Sequence, residues 1–296
     1  MPERISFAAA IAAAIGASIA PTSVQQQPAF RAETQTVAVY ATVTDARGSL
    51  ITNLKASDFQ IDDDSHKRPI AVFKSDVQSI TVAIMLDRSP SLFPVAQRSQ
   101  DAVSAFTRCF IAGDRACLGT FSQVVSLDPT WSSDRDALLK HLGDDVPWPA
   151  GTAMWDAIDA ARVALEREAD RRVILMVSDG ADNCSRLDPR DVQIGLIKDD
   201  VMVYAVGFRG REGLDASDLS GLARATGGFS FELKPADDLT ATMQHIADEL
   251  HRQYVLGFTP VALDGRTHRI DVKVGKPGVT VRARRSYIAS KDGRVR

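Results

Sequence analysis

Three short polar clusters in this chain supply oxygen donors in a pattern suited to a hard cation. They are Asp87-Arg88-Ser89-Pro90-Ser91, Gly151-Thr152 and Ser178-Asp179-Gly180. Asp87, Ser89, Ser91, Thr152 and Asp179 together offer two carboxylates and three hydroxyls, an all-oxygen set. Divalent cations such as Mg2+ take oxygen ligands in near-octahedral geometry and keep some water. With few carboxylates around it, such an ion keeps an appetite for one more anionic oxygen. That chemistry suits gripping an Asp or Glu of a partner better than turning over a substrate.

Motifs of common catalysts are missing from the sequence. No G-x-S-x-G elbow surrounds Ser178. There is no G-x-x-x-x-G-K phosphate loop, and none of the five histidines falls in an H-E-x-x-H motif. Asp87 lacks the second Asp two positions on that a phosphoaspartyl hydrolase carries. Three readings remain: a metal-dependent binding module, a scaffold whose metal only steadies loops, and a metal-dependent hydrolase without motif support.

The clusters need elements that bring them together. Ile80 to Leu86 and Val173 to Val177 are continuous apolar runs, the mark of strands buried on both faces of a parallel sheet. Asp87 and Ser178-Asp179 follow directly. Ala116 to Phe121, Val124 to Leu127, Val201 to Val206 and Phe229 to Phe231 read as further strands. Helical spacing links them: Val95, Ala102, Val103, Phe106 and Phe110 on one face, then helices over 133–142, 153–169, 189–198, 215–225 and 237–251. Strands alternating with helices predict an α/β fold, a three-layer doubly wound, mostly parallel sheet. Ligands of such sheets sit beyond the carboxyl ends of the strands, where the clusters fall.

Both flanks read as β structure. Val37, Val39, Ala41 and Val43 alternate with polar residues, and Asp58 to Ile61 and Ile70 to Phe73 are short strands around a turn-like, solvated Asp62-Asp63-Asp64. Beyond the helices come Tyr254 to Phe258, His268 to Val274 and Val279 to Tyr287, the last with its arginines on a solvated face. The predicted organisation is a leading segment at 1–20, a linker at 21–34, a β segment at 35–76, the α/β domain at 77–252 and a β segment at 253–296. The two β segments pair into a small sandwich-like domain.

Composition is that of a globular chain: 296 residues, 45 % hydrophobic and 25 % charged. A net charge of −3 provides no global field for nucleic acid or anionic membrane. Residues 1–20 combine an Arg, an Ala-rich apolar stretch and small residues at the exit, the pattern of a secretory signal. This predicts export, to a bacterial periplasm or the medium, without membrane insertion beyond that segment. The three cysteines, Cys109, Cys117 and Cys184, cannot all pair within the chain. Cys109 and Cys117 read as small buried hydrophobes or as a bridge.

Asp87-x-Ser89-x-Ser91 with Thr152 and Asp179 resembles the metal-ion-dependent adhesion site of von Willebrand factor type A domains. The order fits: the D-x-S-x-S after the first buried strand, the Thr before a helix, the Asp after a later strand. The resemblance spans roughly residues 79 to 250 and implies a Rossmann-like α/β domain. It further implies that Ser89, Ser91 and Thr152 coordinate one Mg2+, or Mn2+ or Ca2+, directly, while Asp87 and Asp179 act through water. The implied partner is a protein with an exposed Asp or Glu. Arg88 reads as a solvated residue at the site's edge, able to attract an acidic ligand. Asp156 reads as a support for the Thr152 loop, and Asp182 as a turn residue able to tune the metal. The flanks resemble those of bacterial relatives in Val43-Thr-Asp-x-x-Gly48, Leu54-x-x-x-Asp58-Phe59, Tyr254-x-Leu-Gly-Phe258 and Arg282-Ala-Arg-Arg-x-Tyr287.

Overall fold

The computed structural model describes residues 36–140, 149–168, 171–208, 217–234 and 236–290. The predicted signal and linker lie outside them.

The continuous apolar runs form the middle of a six-stranded sheet. Its strands are β5 (Ile80–Asp87), β6 (Arg115–Phe121), β7 (Val125–Leu127), β8 (Arg171–Val177), β9 (Met202–Phe208) and β10 (Ser230–Leu233), in the order β10-β9-β8-β5-β6-β7. All neighbours are parallel except β6 and β7. Every residue of β5 and β8 is buried, as strands covered on both faces must be. Alternation then sorts side chains into two layers. Ile80, Val82, Ile84 and Leu86 share a core with residues of α1 (Ala96–Thr107) and α6 (Leu239–Arg252). Ala83 and Met85 face α3 (Met154–Leu165), α4 (Pro189–Lys198) and α5 (Ser217–Ala225) on the other side. A short helix, α2 (Arg135–Lys140), precedes α3 and buries Leu138. The predicted three layers are present, with the described helix ends within a few residues of the expected limits. Residues 141–142, 169 and 215–216 of three expected helices lie outside the described residues.

Chain order fixes where this sheet opens. After β5 the chain crosses to β6 on one side, while after β8 it crosses to β9 on the other. The crevice between β5 and β8 is therefore the switch point, the usual seat of a ligand in doubly wound sheets.

The two chain ends form two further sheets. β1 (Val37–Asp45) lies between β11 (Tyr254–Phe258) and β13 (Val279–Ala283), and β4 (Val72–Lys74) adds to β11. β12 (Thr267–Val274) lies between β2 (Phe59–Asp63) and β14 (Ser286–Ile288), with β3 (His66–Arg68) at the edge. Val37, Val39, Ala41 and Val43 meet Ile61, Ile270 and Val272 in one shared core, so the termini build a small sandwich.

Three expectations for this region are corrected. The expected single strand Val279 to Tyr287 is two strands in two sheets, broken at Arg284-Arg285. Arg282 and Arg284 do not lie on a solvated face: Arg282 pairs with buried Glu249, and Arg284 with Asp200 at 2.7 Å. Asp62 and Asp63 are buried strand residues rather than a solvated turn. The turn is Asp64-Ser65, both at positive φ, and it opens the unforeseen strand β3. Positive φ at two successive residues matches the twist a tight hairpin requires.

Candidate functional site

The expected site residues collect at the carboxyl ends of β5 and β8. Asp87 closes β5 and is wholly buried. Its Oδ1 accepts the Ser89 N–H at 2.7 Å, and its Oδ2 accepts the Ser178 hydroxyl at 2.7 Å. The first bond curls the chain back so that Ser89 and Ser91 present their Oγ atoms 3.0 Å apart. Ser89 is buried and Ser91 exposed, so the pair runs from the crevice to the surface.

Burial pushes the Asp87 carboxyl up to about 6. The Ser178 and Ser89 hydrogen bonds oppose that rise, and the nearby Asp179 charge adds to it. Asp87 and Asp179 thus repel one another in a water-poor crevice. A cation beside them relieves both costs, because an opposite charge favours the ionised carboxylate.

Thr152 is brought in by loops tied to one another. Gly151 sits at φ +94, and a Cβ on it would lie 3.1 Å from Cys184 Sγ, so the turn before Thr152 calls for glycine. The Thr152 N–H donates to Asn183 Oδ1 at 2.8 Å, and the Asn183 N–H returns a bond to the Thr152 carbonyl at 3.0 Å. The Ala153 N–H donates to the Ser122 carbonyl at 2.7 Å, next to Phe121, whose carbonyl accepts from the Arg88 N–H at 2.7 Å. The loops after β5, β6 and β8 and the start of α3 therefore form one hydrogen-bonded assembly.

Asp156 and Asp182 do structural work in it. Asp182 Oδ1 accepts the Met154 N–H at 2.8 Å, capping α3 from a distant loop. Asp156 Oδ1 accepts the N–H groups of Arg186 and Leu187, each at 3.0 Å. Each ties the start of α3 to the loop after β8. Arg88 departs from expectation. It is buried, 3 % exposed, rather than a solvated edge residue. Ser178, Asn183 and Ser185 matter more than the sequence revealed. Ser185 Oγ accepts the Trp155 N–H at 2.9 Å and donates to Asp182. Only the setting of Ser178 beside Asp179, and the Asp182-Asn183 pair typical of turns, signalled them.

The donor set fits a hard divalent cation. Ser89, Ser91 and Thr152 supply neutral oxygens. Asp87 already accepts one bond on each oxygen, which suits holding a coordinated water more than binding an ion outright.

The cysteines are free, with Cys117 buried and Cys109 and Cys184 partly so. Burial pushes the Cys117 thiol up to about 12, leaving it unreactive. Among the described residues, no helix is long and apolar enough to cross a membrane.

The sequence model of the von Willebrand factor type A domain family matches residues 81–245. A solved von Willebrand factor type A protein from Catenulispora acidiphila is 12 % identical and superposes with a TM-score of 0.53 over 90 % of this chain and 77 % of its own. Proximal thread matrix protein 1 from the mussel byssus is 18 % identical, with a TM-score of 0.50 over 60 % of this chain and 49 % of its own. An aerotolerance-related membrane protein from Bacteroides fragilis is 18 % identical, with a TM-score of 0.49 over 58 % of this chain and 98 % of its own. At these identities the first two structures speak to the fold alone. No curated protein matches the chain.

Proposed function

Because the chain belongs to the von Willebrand factor type A domain family, whose members are mostly protein-interaction modules, we propose that it is a non-enzymatic binding module that grips an acidic residue of a partner protein through one divalent cation. One observation carries this reading: a buried pair of carboxylates, Asp87 and Asp179, lies beside a paired set of hydroxyls at the switch point of the sheet. When bound, the cation supplies a positive centre with room for one more anionic oxygen. Ser89, Ser91 and Thr152 hold it, and Asp87 and Asp179 orient its water. The ion is Mg2+, Mn2+ or Ca2+, bound at a single site. The Ala-rich leading segment supports export, to a bacterial periplasm or the medium, as the setting.

The rival reading makes the chain a scaffold whose cation merely steadies the loops. The bonds from Asn183, Asp182 and Asp156 weigh against it, since they join the loops without an ion. Water-proton relaxation on adding Mn2+ tests the site. Wild type is expected to enhance relaxation and Asp87→Ala to lose the effect. Equal signals from two folded proteins would sink the reading. Capture of an acidic partner that survives EDTA would favour the scaffold.

A further inference from the structure

A second cleft, of about 600 Å3, opens where α5 meets β12 and β14, away from the switch point. Three arginines from separate elements line it: Arg224 in the last turn of α5, Arg269 on β12, and Arg285 at the corner between β13 and β14. All three are exposed, and none forms an ion pair with another described residue. The neighbouring Arg282 and Arg284 behave differently, each holding a buried or partly buried carboxylate.

The cleft is rigidly built. A Cβ on Gly227 would lie 2.7 Å from Arg284 N, so the chain after α5 touches the β13–β14 corner backbone to backbone. The Arg284–Asp200 pair anchors that corner from beneath. The backbone that carries Arg224 and Arg285 is therefore held together at the rim of this cleft.

Ordinary structure accounts for one of the three. Arg224 complements the carboxyl end of the α5 dipole. Arg269 and Arg285 have no such role. Arg269 stands opposite Ser286 across the β12–β14 ladder, one residue from Arg285. A cleft lined by charges of one sign raises the local concentration of ions of the opposite sign. Among the described residues, the one carboxylate lining the cleft, Asp64, is already engaged by the Arg269 N–H at 2.9 Å and by His268 Nδ1 at 2.7 Å.

We propose that this cleft is a binding site for a small molecule carrying two linked phosphoryl groups. Guanidinium forks match phosphate oxygens in pairs. Three forks exceed what the two oxygens of one carboxylate can accept with good geometry, whereas a diphosphate has oxygens for all. The Thr267 and Ser286 hydroxyls add neutral donors, and the volume is that of a small-molecule site.

Calorimetric titration of the full chain with pyrophosphate, at low salt and in EDTA, tests this. Wild type is expected to bind. Arg224→Gln, Arg269→Gln and Arg285→Gln should each weaken binding about tenfold, the loss of one charged hydrogen-bonding group. Asp87→Ala should bind as wild type does, so that this site stands or falls apart from the cation site. Inorganic phosphate should bind more weakly than pyrophosphate, and equal affinities would overturn the two-phosphoryl assignment. No pyrophosphate binding, or binding indifferent to the three substitutions, would overturn the proposal. So would binding of hexaglutamate that pyrophosphate does not displace, which would mark the cleft as an acidic-peptide site.

Discussion

Ser178 Oγ donates a 2.7 Å hydrogen bond to Asp87 Oδ2, and this one contact joins the carboxyl ends of β8 and β5 across the switch point of the sheet. The hydroxyl satisfies one oxygen of a wholly buried carboxylate and, through Oγ, also accepts the Gly180 N–H at 3.0 Å. The geometry of the site begins from that pair.

Asp87 should make the metal-free protein less stable at neutral pH. Its carboxyl is raised from 3.8 to about 6, first by burial, so the folded chain binds protons more tightly than the unfolded chain. Stability is then unaffected below about pH 4, falls as pH rises toward 6, and stays low above it, by about 3 kcal/mol. Urea unfolding in EDTA at neutral pH should find Asp87→Asn more stable than wild type, and saturating Mg2+ should narrow the gap. A less stable Asp87→Asn in EDTA would show that the Ser89 and Ser178 bonds outweigh the burial cost.

Glu249 should be the costliest side chain to remove at the junction of α6 with the sandwich. It is 1 % exposed, accepts the Thr42 hydroxyl at 2.9 Å and the Tyr204 hydroxyl, and pairs with Arg282. Glu249→Ala leaves the Arg282 charge without its carboxylate and should cost about 3–5 kcal/mol in urea unfolding. Adding Arg282→Met should recover part of the loss. If the double variant is worse than the single, the pair is not the source of the cost.

His268 should give the sandwich a pH-dependent stability. Its Nδ1 lies 2.7 Å from Asp64 Oδ2 and its Nε2 3.0 Å from Asp264 Oδ1, an arrangement that the doubly protonated ring satisfies on both sides. Burial lowers the imidazole pKa, but the bonds from Asp264 and Asp64 outweigh it and the net shift is upward from 6.5. The gain is therefore full below the unfolded value of about 6.5 and is lost as pH rises through the folded one. Thermal melts at about pH 6 and pH 9 should differ more for wild type than for His268→Gln. Identical differences would assign the pH dependence elsewhere.

Two glycines separate close approach from mere flexibility. A Cβ on Gly228 would lie 2.0 Å from the Val203 carbonyl oxygen, whereas one on Gly221, inside α5, meets nothing within 4 Å. Gly221→Ala should stabilise the protein by about 1 kcal/mol through helix propensity. Gly228→Ala should instead lower the melting temperature sharply or prevent folding. A melt that ranks them the other way would refute the placement of the chain after α5.

The sheet and the site positions were legible because they depend on local pattern. Continuous apolar runs announced β5 and β8, and polar clusters directly after them had to fall at the ligand edge. Residues 279–287 misled because alternation alone cannot reveal that a strand changes sheets. The break follows from Arg284 turning inward to Asp200 and to the Ala38 carbonyl. Asp63 misled in the same way: three successive aspartates read as a turn, but Asp63 accepts the Tyr287 hydroxyl at 3.2 Å inside the sandwich.

By itself, then, the sequence determined the α/β class, the alternation of core faces, and which oxygen donors stand at strand ends. Those properties follow from side-chain period and from chain order, both readable within a few residues. Tertiary structure alone decided which charges are inside. Thr42 and Glu249 are 207 positions apart, and Asp63 and Tyr287 are 224 apart, yet each pair shares a buried hydrogen bond. A buried charge is tolerable only where partners converge from several elements, and no local pattern records that convergence. The same holds for the arginines of the α5 cleft: pairing of β12 with β14 sets Arg269 near Arg285, and backbone contact at Gly227 brings the end of α5, with Arg224, to them.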